Sequence, residues 1–166
     1  VEMMMKYRVA SIQDLDKIIA VKNEAKQRIV EEHLAVWLGE YPDTSFLKED
    51  LENGYGRVIE EEDGDIAAYA CFHPIDTEYP KGSFSKENLQ SFSRVMVGNK
   101  YLGKHYGTYL IESLIEEAKT IPVDGMGIIV DACNVRVIGL YKKYGFKKES
   151  SKQFEYGFFD VYTLFF

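Results

Sequence analysis

The chain is short of several things that would settle its role at once. It has only two cysteines, Cys71 and Cys133. Both sit in apolar stretches, AAYACFHP and IIVDACN, without metal-ligand spacing, so buried free thiols are expected rather than a disulfide framework or a zinc site. No apolar run approaches the roughly 20 residues that span a bilayer. The opening VEMMMKYRVA lacks the basic-then-apolar layout of a secretory signal, so the expectation is a soluble, cytoplasmic protein with no membrane partner. Positive charge is outweighed, with 20 Lys and Arg against 27 Asp and Glu and a formal net charge of -7. That argues against general nucleic-acid binding, which rests on Lys and Arg neutralising phosphates. A cationic partner is easier to accommodate, although an acidic balance also serves solubility and leaves room for a local basic groove. Internal repeats and low-complexity tracts are absent.

What is present is enough for a core: 166 residues, 46% hydrophobic and 14% aromatic, the size of one domain, taken as residues 1–166. Lys6 to Val9 reads as a short strand, and Ser11 with Asp14 resembles a capping box opening a helix. Its apolar stripe starts at Leu15, Ile18 and Ile19 and continues through Ala25, Ile29, Val30, Leu34, Trp37 and Leu38, across a bend, to Gly39 and Pro42. A short helix is expected from Thr44 to Leu51. GRVIEEEDGDIAAYACF reads as two strands joined by a tight turn at Asp63-Gly64. The polar stretch HPIDTEYPKGSFSKENLQ follows, longer than a usual connection and either a lid or a tolerated surface insertion.

Ser91 to Val97 reads as a strand running into GNKYLGKHYGTYL. A helix comes next, with Leu110, Ile111, Leu114, Ile115 and Ala118 on one face. A strand from Gly127 to Ala132, a helix from about Val135 to Lys143 and two closing antiparallel strands complete the order β-α-α-β-β-β-α-β-α-β-β. This predicts a mixed α/β (α+β) sheet with helices on both faces.

Two segments carry chemistry. Backbone N–H groups at a helix start are unpaired and lie at the positive end of the helix dipole, so the glycine-rich approach to the helix after Tyr106 suits phosphate. Gly98, Gly103 and Gly107 permit close approach or positive φ, and Lys100 and Lys104 add charge. The same pattern also occurs as a ligand-free turn. It is neither a P-loop, since no Gly-Lys-Ser/Thr closes it, nor a Rossmann Gly-x-Gly-x-x-Gly. The second segment is Asn134 to Phe146. Asn134 is placed to cap a helix, Tyr141 follows two turns later on nearly the same face, Gly145 stops the helix, and Phe146 anchors the next strand.

Together these segments resemble the GNAT superfamily of N-acetyltransferases. There an Arg or Gln, two variable positions, a Gly, one more position and a Gly or Ala cradle the pyrophosphate of acyl-CoA. The matching residues are Leu102, Gly103, Lys104, His105, Tyr106 and Gly107, with Leu102 in place of the Arg or Gln and His105 in place of the central Gly. In the second segment the Asn, the Tyr seven residues on and the Gly-Phe pair all match. The resemblance implies a mostly antiparallel sheet of about seven strands. It also implies acetyl-CoA as co-substrate, held by the main chain of Val95, Met96 and Val97, by the loop Leu102 to Thr108 and by Asn134, and no metal. A backbone N–H near Met96 would stabilise the oxyanion, and Tyr141 would protonate the departing thiolate. The expected partner is a small-molecule or peptide amine acceptor, with a homodimer left open. His73, Asp76, Glu78 and Glu60 are candidates for the base, with no choice among them. Trp37, Tyr41, Phe46, Tyr79, Phe84, Phe154 and Tyr156 would line the acceptor pocket or form core. The competing expectation is a non-catalytic acyl-CoA sensor or partner-binding protein on the same fold, favoured by Leu102 and His105.

Overall fold

The computed structural model describes residues 5–32, 37, 39–75, 79, 82–154 and 157–166. In chain order its elements are β1 (Lys6–Val9), α1 (Leu15–Glu31), α2 (Thr44–Glu52), β2 (Gly56–Glu60), β3 (Ile66–Pro74), β4 (Leu89–Val97), α3 (Tyr106–Ala118), β5 (Gly125–Asp131), α4 (Val135–Lys143), β6 (Lys147–Phe154) and β7 (Gly157–Phe165). The order is the one expected. The strands form one seven-stranded sheet in the order β1-β2-β3-β4-β5-β7-β6. Every neighbouring pair is antiparallel except β4 and β5.

Two core clusters sandwich the sheet, because alternate strand residues point to opposite faces. On one face Leu110, Ile111, Leu114 and Ala118 of α3 meet Ala68, Ala70 and Phe72 of β3, together with Met126, Ile128, Ile138 and Phe146. On the other, Ile18, Val21 and Ala25 of α1 and Leu47 and Leu51 of α2 pack on Val58, Tyr69 and Met96. The near-continuous burial of IAAYACFH in β3 follows, since the strand is central and covered on both faces.

Several expectations are corrected. A short 3-10 turn at Ile12–Asp14 precedes α1, and the Asp14 carboxylate accepts the Ser11 backbone N–H at 2.8 Å. Helix α1 stops at Glu31; of the stripe expected beyond it, Leu34 and Leu38 lie outside the described residues, and Trp37 is buried against α1. The hairpin at Asp63-Gly64, by contrast, forms as expected: Gly64 N–H donates to the Glu61 carbonyl at 2.9 Å and Glu61 N–H to the Asp65 carbonyl at 2.8 Å, with Gly64 at φ 88°. Cys71 is buried as expected, but Cys133 is exposed, because it lies past the end of β5 in the turn before α4.

Candidate functional site

The parallel pair β4–β5 meets only at Leu89 opposite Gly125 and Gln90 opposite Met126. Beyond those two positions the strands diverge, and β4 from Ser91 to Val97 pairs on one side only, with β3. A bulge widens the split. Tyr69 faces Met96 and Cys71 faces Ser93, so β4 uses one more residue than β3 over the same span. Arg94 takes the bend at φ 51°, in the manner of an inserted residue that twists and re-aims its strand. Val95 and Val97 pack towards α3, and Met96 towards α1. The Val97 carbonyl accepts a hydrogen bond from Arg28, which also donates to the Asn99 side chain.

The loop after β4 makes a 3-10 turn at Asn99–Tyr101, then passes Leu102 in extended backbone. Gly103 at φ 70° and His105 at φ 68° both lie in the left-handed region, and His105 is the N-cap of α3. The first helical bond runs from Tyr109 N–H to the His105 carbonyl. The N–H groups of Tyr106, Gly107 and Thr108 therefore have no acceptor within the helix. Residues 102–105 are exposed. Beneath them the rings of Tyr101 and Tyr106 lie 4.9 Å apart, and the Tyr101 hydroxyl donates to Asp65. Burial, followed by the nearby Glu61 carboxylate, pushes the Tyr106 phenol up to about 12. Both tyrosines thus tie the loop to the β2–β3 turn. A Cβ on Gly107 would meet only Val97 Cγ2, at an ordinary 3.8 Å. None of the described residues requires glycine there. Gly98, at φ -66°, does not use glycine's freedom either.

Across the gap, Asn134 occupies the N-cap position of α4, yet its side chain makes no cap hydrogen bond. The local turn is held instead by the Asp131 carboxylate, which accepts the Cys133 N–H at 2.8 Å. Tyr141 is buried, with ring centroids 5.6 Å from Phe92 and 5.9 Å from Phe146. Burial, then the nearby Tyr79, pushes its phenol above the ordinary range. Gly145 at φ 95° ends α4, with Phe146 N–H returning to the Tyr141 carbonyl at 3.2 Å. The β4 edge that β5 leaves unpaired thus runs into the unsatisfied N–H groups at the start of α3, and the Tyr141 ring packs on Phe92 of the same strand.

The sequence profile of the Acetyltransferase (GNAT) family matches residues 23–146. The chain belongs to this family. Solved structures of similar fold include a GNAT-family acetyltransferase from Streptococcus agalactiae, 22% identical, covering 99% of this chain and 98% of that one at a TM-score of 0.81. A ribosomal-protein-alanine N-acetyltransferase from Brucella melitensis is 24% identical, with 97% and 99% coverage and a TM-score of 0.71. An N-acetyltransferase from Staphylococcus aureus is 23% identical, with 97% and 98% coverage and a TM-score of 0.73. No protein of curated function matches the sequence.

In this GNAT chain the four base candidates separate. Glu60 sits on β2, with β3 between it and β4, and its carboxylate accepts from Arg8 at 2.8 Å. That hydrogen bond, set against slight burial, holds its pKa below the usual carboxylate range. It is a structural partner. Asp76 and Glu78 lie outside the described residues. His73 is fully buried, with Nε2 2.9 Å from Ser93 Oγ and Nδ1 2.8 Å from the Pro74 carbonyl.

The aromatics proposed for an acceptor pocket also disperse. Trp37 is core, Tyr41 packs edge-on against Phe46, and Tyr79 and Phe84 pack together beside Ile75, Leu89 and Val161. Tyr156 and the Phe154 side chain are outside the described residues. Sequence reasoning missed the buried pair that pins the bulge. Arg94 donates to Asp50 at 2.8 Å and 2.6 Å, to the Tyr41 hydroxyl at 2.7 Å and to Cys71 Sγ at 3.2 Å. Its signal was an arginine as the one charged residue of a strand, LQSFSRVMV, that is otherwise buried or half-buried. Among the described residues no group of three or more His, Cys, Asp or Glu is placed to hold a metal, and no helix is long and apolar enough to cross a membrane.

Proposed function

We propose that the chain acts, as one unit, as an acetyl-CoA-dependent N-acetyltransferase, moving an acetyl group to the primary amine of a small molecule or peptide by direct attack in a ternary complex. The observation that carries this reading is the split between β4 and β5, whose unpaired β4 edge leads straight to the free N–H groups at the start of α3. The residues suit the co-substrate. Val95, Met96 and Val97 offer main-chain groups to the pantetheine arm, and Leu102, Gly103, Lys104, His105, Tyr106, Gly107 and Thr108 would surround the pyrophosphate. Lys104 supplies the cation that Leu102 does not, and Asn134 has its amide uncommitted to capping. Acetyl-CoA would bring the activated thioester carbonyl. The backbone N–H near Met96 is suited to the developing oxyanion. Tyr141, kept protonated by burial, is suited to donate to the leaving sulfur.

Isothermal titration with acetyl-CoA and with CoA tests the cradle before any acceptor is known. Saturable binding would justify screening primary amines for Tyr141-dependent CoA release. The Brucella melitensis neighbour, a ribosomal-protein-alanine N-acetyltransferase, keeps a peptide N-terminus in that screen. The second reading, an acyl-CoA sensor or partner-binding protein, draws on Leu102, which is 41% exposed where the family pattern has an Arg or Gln. Absence of binding at millimolar acetyl-CoA would turn the assignment to partner binding, and binding without turnover of any amine would turn it to sensing.

A further inference from the structure

The geometry points to a proton relay in which Ser93 accepts a proton from the acceptor amine while passing its own hydroxyl proton to His73; it rests on the transferase reading above. A carbonyl can only accept, so the ring nitrogen facing the Pro74 oxygen at 2.8 Å carries the proton of the neutral imidazole. That leaves Nε2 as an acceptor, and the Ser93 hydroxyl, 2.9 Å away, must donate to it. The arrangement of a hydroxyl, an imidazole acceptor and an orienting oxygen is the one that makes a serine a good proton carrier.

The pair is also placed where an amine would need it. Ser93 lies on β4 after the strand has left β5 and just before the bulge at Arg94. Ser93 is partly exposed, whereas His73 is fully buried, so Ser93 is the more accessible member of the pair. Tyr79 lies with its ring 5.9 Å from His73 and close enough to Tyr141 to raise that phenol. The relay and the proposed acid therefore flank the same stretch of gap. Ser91, directly opposite His73 in the ladder, has a buried hydroxyl with no partner among the described residues, which leaves a spare polar atom beside the ring.

Of the titratable groups, Tyr79 has its ring beside His73 and Cys71 lies two residues away on the same strand. Arg94, next to Ser93 on β4, is in an ion pair with Asp50 and also donates to Cys71 Sγ.

The protons balance. The substrate ammonium gives one proton to Ser93 Oγ as the Ser93 hydroxyl proton moves to His73 Nε2, leaving a neutral amine and an imidazolium. The amine nitrogen forms the new C–N bond as the C–S bond breaks. Tyr141 protonates the sulfur, and the remaining excess proton on nitrogen restores the phenol. The imidazolium returns its proton to water through Ser93.

The test compares His73→Gln and Ser93→Ala with the unsubstituted protein on two acceptors. One is the primary alkylamine it acetylates fastest, which is an ammonium ion at neutral pH; the other is methoxyamine, which is already neutral there. Loss of a general base predicts a fall of about 10²-fold or more in kcat/KM for the alkylamine and less than about threefold for methoxyamine. The alkylamine deficit should shrink as pH rises, and Ser93→Thr should restore activity. A second readout needs no turnover: nitrogen NMR of the protein alone should show the His73 proton on Nδ1, with the Nε2 resonance moving in Ser93→Ala. Equal losses on both amines with acetyl-CoA binding intact, or a proton on Nε2, would overturn the relay while leaving the transferase reading standing. Absence of acetyl-CoA binding in the unsubstituted protein would remove both. If His73→Gln does not fold, the Ser93→Ala comparison decides the same link.

Discussion

His105 holds a backbone conformation that costs an L-residue energy. At φ 68° it stands where the family pattern has glycine, and the left-handed region disfavours a Cβ by about 1–2 kcal/mol. Glycine's greater freedom in the unfolded chain offsets part of that gain. His105→Gly should therefore stabilise the protein by up to ~1 kcal/mol in urea unfolding, without weakening acetyl-CoA binding by titration. Leu102 is the opposite case, since its side chain is exposed and packs little. Leu102→Arg should tighten acetyl-CoA by roughly fivefold, the return on about 1 kcal/mol from a charge-assisted contact. Tyr141 tests the chemistry rather than the cradle. Tyr141→Phe keeps the ring contacts to Phe92 and Phe146, so stability should hold while kcat falls by about 10²-fold. Burial raises this phenol, and a group needed in its protonated form loses function only as pH climbs past its pKa. The pH profile of kcat should therefore show no alkaline fall from Tyr141 below about pH 10, the ordinary phenol value.

The bulge in β4 depends on one interaction between elements. Asp50 on α2 receives two hydrogen bonds from Arg94, and both side chains are almost wholly buried. Removing the carboxylate strands a guanidinium in the core, so Asp50→Ala should cost about 3–5 kcal/mol in denaturant unfolding. Asp50→Leu with Arg94→Met should recover much of that stability, because an apolar pair of similar volume avoids the unpaired charge. Acetyl-CoA affinity in the double variant then reports whether the bulge itself shapes the gap. This is also where reading from sequence reaches its limit. The apolar periodicity of Leu110 to Ala118 identifies α3, and the glycine-rich approach identifies the loop before it, because both signals are local. The bulge is a mismatch between two strands, visible only once Tyr69 is set against Met96 and Cys71 against Ser93. Likewise, strand pairing brings together His73 and Ser93, 20 residues apart, and a helix laid on the sheet brings Asp50 to Arg94, 44 residues apart. The tight hairpin turn at Asp63-Gly64 was legible for the same local reason, and it forms; what the sequence does not show is that its Asp65 side chain holds Tyr101 and its Glu61 lies beside Tyr106.

Across the whole molecule, the sheet is two antiparallel groups, β1 to β4 and β5 to β7, joined in the strand ladder through two opposed residue pairs. The shared core of α3 and α4 holds the groups together on one face. A ligand lying in the gap would contact both groups in the folded state and neither in the unfolded chain, so its binding free energy adds to the stability of the whole. At a concentration about 100 times its Kd, acetyl-CoA should contribute roughly 2.7 kcal/mol. For a chain of this size that is a rise of about 5–10 °C in Tm. Thermal melts over a range of ligand concentrations measure this directly. A shift that follows the logarithm of concentration, and that Leu102→Arg moves to lower concentration, places the binding energy in this gap. A melting point indifferent to acetyl-CoA at saturation would mean that the split between β4 and β5 serves something other than the acyl donor.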